Sequence, residues 1–131
     1  MSSTPSIGTG RSQKELTIDS AGEVTEVLTV LEDEECRSIL AETSESPYSV
    51  NELAEECDIP LSTAYRKVDR LADAGLIEEQ IRLSTSGKHT SEYRLAVNDI
   101  QISIGSDAGI ELSLVSPNTE EVSGRMLAGA D

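Results

Sequence analysis

Ser49-Val50-Asn51-Glu52 obliges a helix to begin near residue 50. The serine hydroxyl can accept from the Glu52 amide while the glutamate reaches back to the serine amide. Such a capping box satisfies two donors that a helix N-terminus otherwise leaves open. Val50, Leu53, Ala54 and Cys57 then recur at helical spacing on one side, with Asn51, Glu52, Glu55 and Glu56 on the other. Asp58-Ile59-Pro60 interrupts the pattern. Proline lacks the amide a helix interior needs but suits a first turn, so a second helix is expected from Pro60 to Ala74, closed by Gly75 as a C-cap.

At 100° per residue, Leu61, Ala64, Val68, Leu71 and Gly75 cluster on one side of the second helix, and Ser62, Arg66, Arg70 and Asp73 lie opposite, with Tyr65 and Lys67 on the flanks. One face reads as core and the other as an outward surface. Guanidinium groups can bridge guanine O6 and N7, and small hydroxyls reach bases or phosphates, so this face suits a DNA major groove. An ordinary solvated amphipathic helix would show the same charges, and the residues C-terminal to the helix decide between the two.

Residues 76–83 alternate as Ile77, Glu79, Ile81, Leu83 against Glu78, Gln80, Arg82. Residues 92–97 alternate as Tyr93, Leu95, Val97 against Glu92, Arg94, Ala96. Period two predicts half-buried strands. Between them, Ser84-Thr85-Ser86-Gly87-Lys88-His89-Thr90 is a polar loop with two potential cations, able to lie along a phosphate backbone. The pattern predicts an α+β fold: a winged helix-turn-helix with N-terminal helices, a wing hairpin and a further C-terminal hairpin.

Glu52-Leu53-Ala54, Ser62-Thr63-Ala64-Tyr65-Arg66-Lys67-Val68 and Leu71-Ala72-Asp73-Ala74-Gly75-Leu76-Ile77 together resemble the ArsR-like group of archaeal and bacterial winged-helix regulators. The resemblance spans Val24 to Val97, and its most specific part is the Leu-x-x-Ala-Gly-Leu-Ile ending that joins the second helix to the wing. It implies that Ser62, Thr63, Tyr65 and Arg66 face bases, and that Lys67, Arg70 and the wing residues Arg82, Lys88, His89 and Arg94 face phosphates. It also implies a homodimer on double-stranded DNA, acting in transcription as a repressor. The effector is not specified.

Net charge opposes a polyanion partner: 10 basic and 25 acidic side chains leave −15. The distribution answers the objection. Residues 61–94 carry six basic against five acidic side chains, so the excess acid lies elsewhere. Such a composition resembles proteins of salt-accumulating archaea. In molar salt the Debye length is about 3 Å, and the acidic body would be screened from the DNA. The same screening weakens phosphate contacts, so shape fit and dimerisation must contribute more.

Val24, Val27, Leu28 and Leu31 repeat at helical spacing, and Cys36, Ile39, Leu40 and Thr43 do so after the acidic run Glu32 to Glu35, predicting two earlier helices. The first stripe is the expected dimer surface. Residues 1–20, rich in Ser, Thr and Gly, are expected to be disordered. Gly8-Thr9-Gly10 has no strand before it and makes no phosphate loop. Downstream, Ile100, Ile102, Ile104 and Ile110, Leu112, Leu114 flank a Gly-containing turn and predict a hairpin over 98–115, with 116–131 as a tail. That hairpin could extend the wing sheet, cover an apolar surface or meet a second subunit. Residues 21–115 read as one domain.

No stretch approaches the roughly 18 apolar residues of a membrane span, and the polar start is no secretory signal, so a cytoplasmic protein is expected. Cys36 and Cys57 fall on apolar helix faces, favouring buried thiols over a disulfide. Metal-sensing ArsR relatives carry a paired cysteine motif before the recognition helix, whereas here Cys57 stands alone, which counts against metal sensing there. Tyr65 can stack at DNA or pack on a neighbouring helix, and His89 reads as solvated or phosphate-contacting. No nucleophile with a base, metal cluster or nucleotide motif points to an enzyme or a cofactor. The competing reading is a winged module that docks protein. A DNA reader needs Arg66 and Arg70 unpaired, whereas a docking module can bury them or pair them with carboxylates.

Overall fold

A computed structural model describes residues 14–117. The elements run β1 (Lys14–Ile18), α1 (Ala21–Glu32), α2 (Glu34–Glu45), α3 (Val50–Glu56), α4 (Leu61–Asp73), β2 (Ile77–Arg82), β3 (Thr90–Leu95), β4 (Asp99–Ile104) and β5 (Ile110–Ser116). They divide into two compact units. One is Asp19–Ala96, and the other joins the described parts of Met1–Ile18 and Val97–Asp131.

The helical unit is built from strong local signals. Ser20 caps α1 by accepting from the Glu23 amide, and Asp33 caps α2 by accepting from the Cys36 amide. Asp33 is also the C-cap of α1, so a single residue turns the chain between the two helices. The capping box at Ser49 and Glu52 forms as expected, with both hydrogen bonds made. α3 then ends in a Schellman arrangement: Ile59 donates to the Ala54 carbonyl at 3.0 Å and Asp58 to that of Glu55 at 3.2 Å. Asp58 takes the left-handed conformation (φ 57°) that this ending requires, which aims the chain directly into α4. α4 closes the same way, with Leu76 bonded to Leu71 and Gly75 to Ala72, each at 3.0 Å, and Gly75 at φ +82°. Only glycine adopts that conformation without a Cβ penalty.

α3 and α4 pack against each other and on α2, and Ile39, Leu53, Ala64, Val68, Leu71 and Leu76 are fully buried. β2 and β3 form a two-stranded antiparallel sheet with Ile77 opposite Leu95 and Arg82 opposite Thr90. Tyr48 adds a bridge to its inner edge, exchanging two backbone hydrogen bonds with Tyr93 at 3.0 and 2.7 Å. Helix–turn–helix followed by a hairpin wing is the fold the sequence predicts.

The second unit is a three-stranded antiparallel sheet in the order β1-β5-β4. The C-terminal hairpin therefore does not extend the wing sheet. It pairs instead with β1, where Leu16 faces Leu114 and Ile18 faces Leu112. Residues 14–18, expected to be disordered, are this strand. Their Leu-Thr-Ile alternation is too short to stand out, and their partner lies about a hundred residues downstream. Residues 1–13 and 118–131, the rest of the expected disordered lead and tail, lie outside the described residues. Directly opposed residues share a sheet face. Leu16, Ile18, Ile100, Ile102, Ile104, Ile110, Leu112 and Leu114 consequently line one side, with Ile18, Leu112 and Leu114 buried and Leu16, Ile102, Ile104 and Ile110 exposed.

Candidate nucleic-acid interface

The outward side of α4 carries most of the expected reading residues. Ser62, Tyr65 and Arg66 are exposed, and Thr63 and Arg70 are half-buried. Neither Arg66 nor Arg70 forms an ion pair among the described residues. Pro60 stands at the N-cap with no side-chain acceptor for the first-turn amides, and that turn holds no acidic residue. Hydroxyl, guanidinium and uncapped amides thus converge on the N-terminal half of α4, a combination suited to an anion beside a groove.

Lys67 departs from expectation. Its wheel position lies between the core and the outward face, but it is 9% exposed and its ammonium is hydrogen-bonded to the Asp33 carboxylate, with Glu35 3.7 Å away. The hydrogen bond from Lys67 holds the Asp33 carboxyl below the usual carboxylate range and, reciprocally, Asp33 raises the Lys67 ammonium. The cap of α2 is thereby tied to the middle of α4. Lys67 is thus held in an interior ion pair rather than presented on the outward surface.

Two of the four wing cations are likewise engaged. Arg82 donates through Nη1 and Nη2 to both carboxylate oxygens of Glu52 at 3.0 Å, and through Nε to Glu92 at 2.6 Å. Gln80 donates to the other oxygen of Glu92 at 2.6 Å. The Arg82 hydrogen bonds, and next the bond from the Ser49 amide, hold the Glu52 carboxyl down to about 2. Glu92 is lowered first by Gln80 and then by Arg82. Arg94 is paired with Glu78, its Nε 2.9 Å from the carboxylate. Lys88 and His89 remain exposed at the loop tip and form no ion pair among the described residues. Gly87, at φ +89°, turns the chain there.

Near the helices the wing follows its apolar alternation, with Ile77 and Val97 buried, but its distal half does not. Glu92 is 8% exposed, whereas Ile81 and Leu83 are open to solvent. The polar network with Glu52 is what covers Glu92, a tertiary cause no alternation rule contains. On the other face, burial raises the Tyr93 hydroxyl, assisted by the nearby Glu79, Asp69 and Tyr65.

Leu61, on the core side of the helical wheel, is instead 45% exposed, one turn before Tyr65 at 51%. It occupies the first position of α4, and its place directly after the N-cap Pro60 is the available signal. Cys36 is buried and Cys57 half-buried, both free thiols raised chiefly by burial. Of the expected dimer stripe, Val24 and Val27 are already buried, and Leu28 and Leu31 are half-buried. No helix among the described residues is long and apolar enough to cross a membrane.

Residues 31–80 match the model of the helix-turn-helix domain family. That interval contains α2, α3, α4 and the start of the wing. No curated protein matches the chain. Among solved structures, the chain is similar to the homodimeric winged helix-turn-helix DNA-binding domain of a possible ArsR-family transcriptional regulator from Mycobacterium bovis, at 24% identity over 56% of this chain and 64% of that one, with a TM-score of 0.48. It is similar to an ArsR-like transcriptional regulator from Rhodococcus sp. RHA1, at 23% identity over 56% and 65%, TM-score 0.49. A possible transcriptional regulator from Methanosarcina mazei Go1 is 14% identical over 61% and 73%, TM-score 0.45. The chain spans just under two thirds of the first two.

Proposed function

We propose that this chain is a sequence-specific double-stranded DNA-binding transcriptional regulator, with α4 in the major groove and the wing tip along the flanking backbone. The observation that carries this reading is the state of Arg66: it stands exposed on the second helix of a helix-turn-helix, without an ion pair among the described residues. A protein-docking module with this much acid could quench that cation, as Lys67, Arg82 and Arg94 are quenched. The base readers are Ser62, Thr63, Tyr65 and Arg66, and Arg70, Lys88 and His89 meet phosphates. Arg82 and Arg94 position the wing.

The protein acts as a homodimer and a repressor in the cytoplasm of a salt-accumulating archaeon. Half-buried Leu28 and Leu31 on α1, and exposed Leu16, Ile102 and Ile104 on the second sheet, supply apolar surface for pairing. The excess of 25 acidic over 10 basic side chains suits molar salt.

Selection of duplexes from a random-sequence pool by the full chain in molar potassium chloride tests this reading. It predicts a consensus of two inverted half-sites one helical turn apart, about 34–36 Å between centres. Failure to enrich any sequence would overturn it, and a single unrepeated half-site would overturn the dimer.

A further inference from the structure

The exposed surface of α4 is divided lengthwise into two strips. Ser62 and Arg66, four residues apart, form a polar strip able to donate to base edges. Beside it, Leu61 and Tyr65, also four apart, form an apolar strip at the N-terminal end of the helix, 45% and 51% exposed. Scattered apolar side chains on a surface need no explanation. These two are adjacent, one helical turn apart, on the flank of α4 next to the strip that carries Arg66.

Charge limits what can cover that strip. Asp69, one turn beyond Tyr65, is exposed, and so is Asp73 one turn further. The flank that carries Asp69 and Asp73 therefore repels phosphates, whereas Arg70 lies off that flank, and entry of α4 by its N-terminal half is favoured. The occupant must accept hydrogen bonds from Arg66 and, beside that acceptor, offer an uncharged apolar group to Leu61 and Tyr65. The major-groove floor meets both demands: guanine presents O6 and N7, and thymine presents the one apolar group on any base edge there, its 5-methyl.

We infer that Leu61 and Tyr65 form an apolar reader of thymine 5-methyl groups, adjacent to the base contacted by Arg66. The inference rests on α4 being the recognition helix, and it names a specificity element that the core-facing expectation for Leu61 concealed. Leu61 supplies the compact contact and Tyr65 the wall that excludes water from it.

The test uses a synthetic duplex chosen from a random pool by the full chain, with each thymine replaced in turn by deoxyuridine, which removes the methyl and nothing else. Fluorescence anisotropy should show at least one thymine per half-site where the replacement weakens binding about fourfold, equivalent to about 0.8 kcal/mol for one buried carbon group. Leu61→Ala or Tyr65→Ala, confirmed folded by circular dichroism, should bind the thymine and deoxyuridine duplexes equally. Leu61→Met, which keeps the apolar contact, should retain the difference. Tight binding insensitive to every replacement, or undiminished sensitivity in both alanine variants, would overturn the inference while leaving DNA binding intact. If the full chain retains no duplex from the pool, the reading of α4 fails and this inference with it.

Discussion

Arg82, on the last residue of β2, closes a two-pronged ion pair on Glu52 in the first turn of α3, both N···O distances being 3.0 Å. The same carboxylate caps the helix that precedes α4. One side chain therefore holds the wing in register with the helix-turn-helix. The pairing is bidentate, and Glu92 completes it, so it should couple more strongly than an ordinary exposed pair. A double-mutant cycle of Arg82→Ala and Glu52→Gln, followed by urea unfolding, should show non-additive losses. Arg82→Ala should also weaken DNA binding by loosening the wing, without changing the preferred sequence. Additive effects would show that the two ends of the pair act independently.

The Glu52 carboxyl, held at about 2 against its ordinary 4.5, makes stability depend on acid. Between those values the unfolded chain takes up a proton that the folded chain refuses. Stability therefore falls as pH drops through that window and is fully present above it. Urea midpoints measured across the window should decline more steeply for the wild type than for Glu52→Gln. Equal slopes would remove Glu52 as the cause.

Lys67 and Lys88 should behave oppositely. Lys67→Ala strips the Asp33 carboxylate of its hydrogen-bonded cation and should cost about 1–3 kcal/mol of stability, leaving the DNA affinity of the folded protein unchanged. Lys88→Ala, at the exposed wing tip, should leave stability unchanged and weaken binding to all sequences by a similar factor. Thermal melts and anisotropy on the two variants would check both halves. A loss of affinity in folded Lys67→Ala would return that residue to the DNA face.

The elements carried by short-range chemistry are legible in the residues alone. Ser49 and Glu52 fix the start of α3, Gly75 fixes the end of α4, and the isoleucine alternation fixes the β4–β5 hairpin, because each signal acts within a few residues. The features that the sequence conceals depend on partners far along the chain. Lys67 is buried because Asp33, 34 residues earlier, receives it. Glu92 is buried because Arg82 and Gln80 reach it across the sheet. β1 is a strand because β5 offers it an edge. On α4, periodicity places Ser62 and Arg66 on the exposed side, and it puts Leu61 on the core side although the first residue of the helix is 45% exposed.

Salt should stabilise the fold. With a net charge of −15 on 131 residues, self-repulsion in dilute buffer is large beside the roughly 5–15 kcal/mol that holds a domain together. Circular dichroism across a potassium chloride series should show the melting temperature rising toward molar salt. DNA binding should fall off less steeply than for a strongly basic repressor, since few cations are available to displace counterions. A fold equally stable in dilute buffer would contradict the first expectation, and loss of binding at molar salt with the fold intact would contradict the second.

Arg66→Ala on a selected operator tests DNA recognition by α4 most directly. Anisotropy titrations of the wild type and the variant, on that duplex and on duplexes altered one base pair at a time, should show a loss of about 1–3 kcal/mol at the preferred site and relaxed discrimination at one position per half-site. Equal affinity and an unchanged preference would mean that α4 does not read DNA.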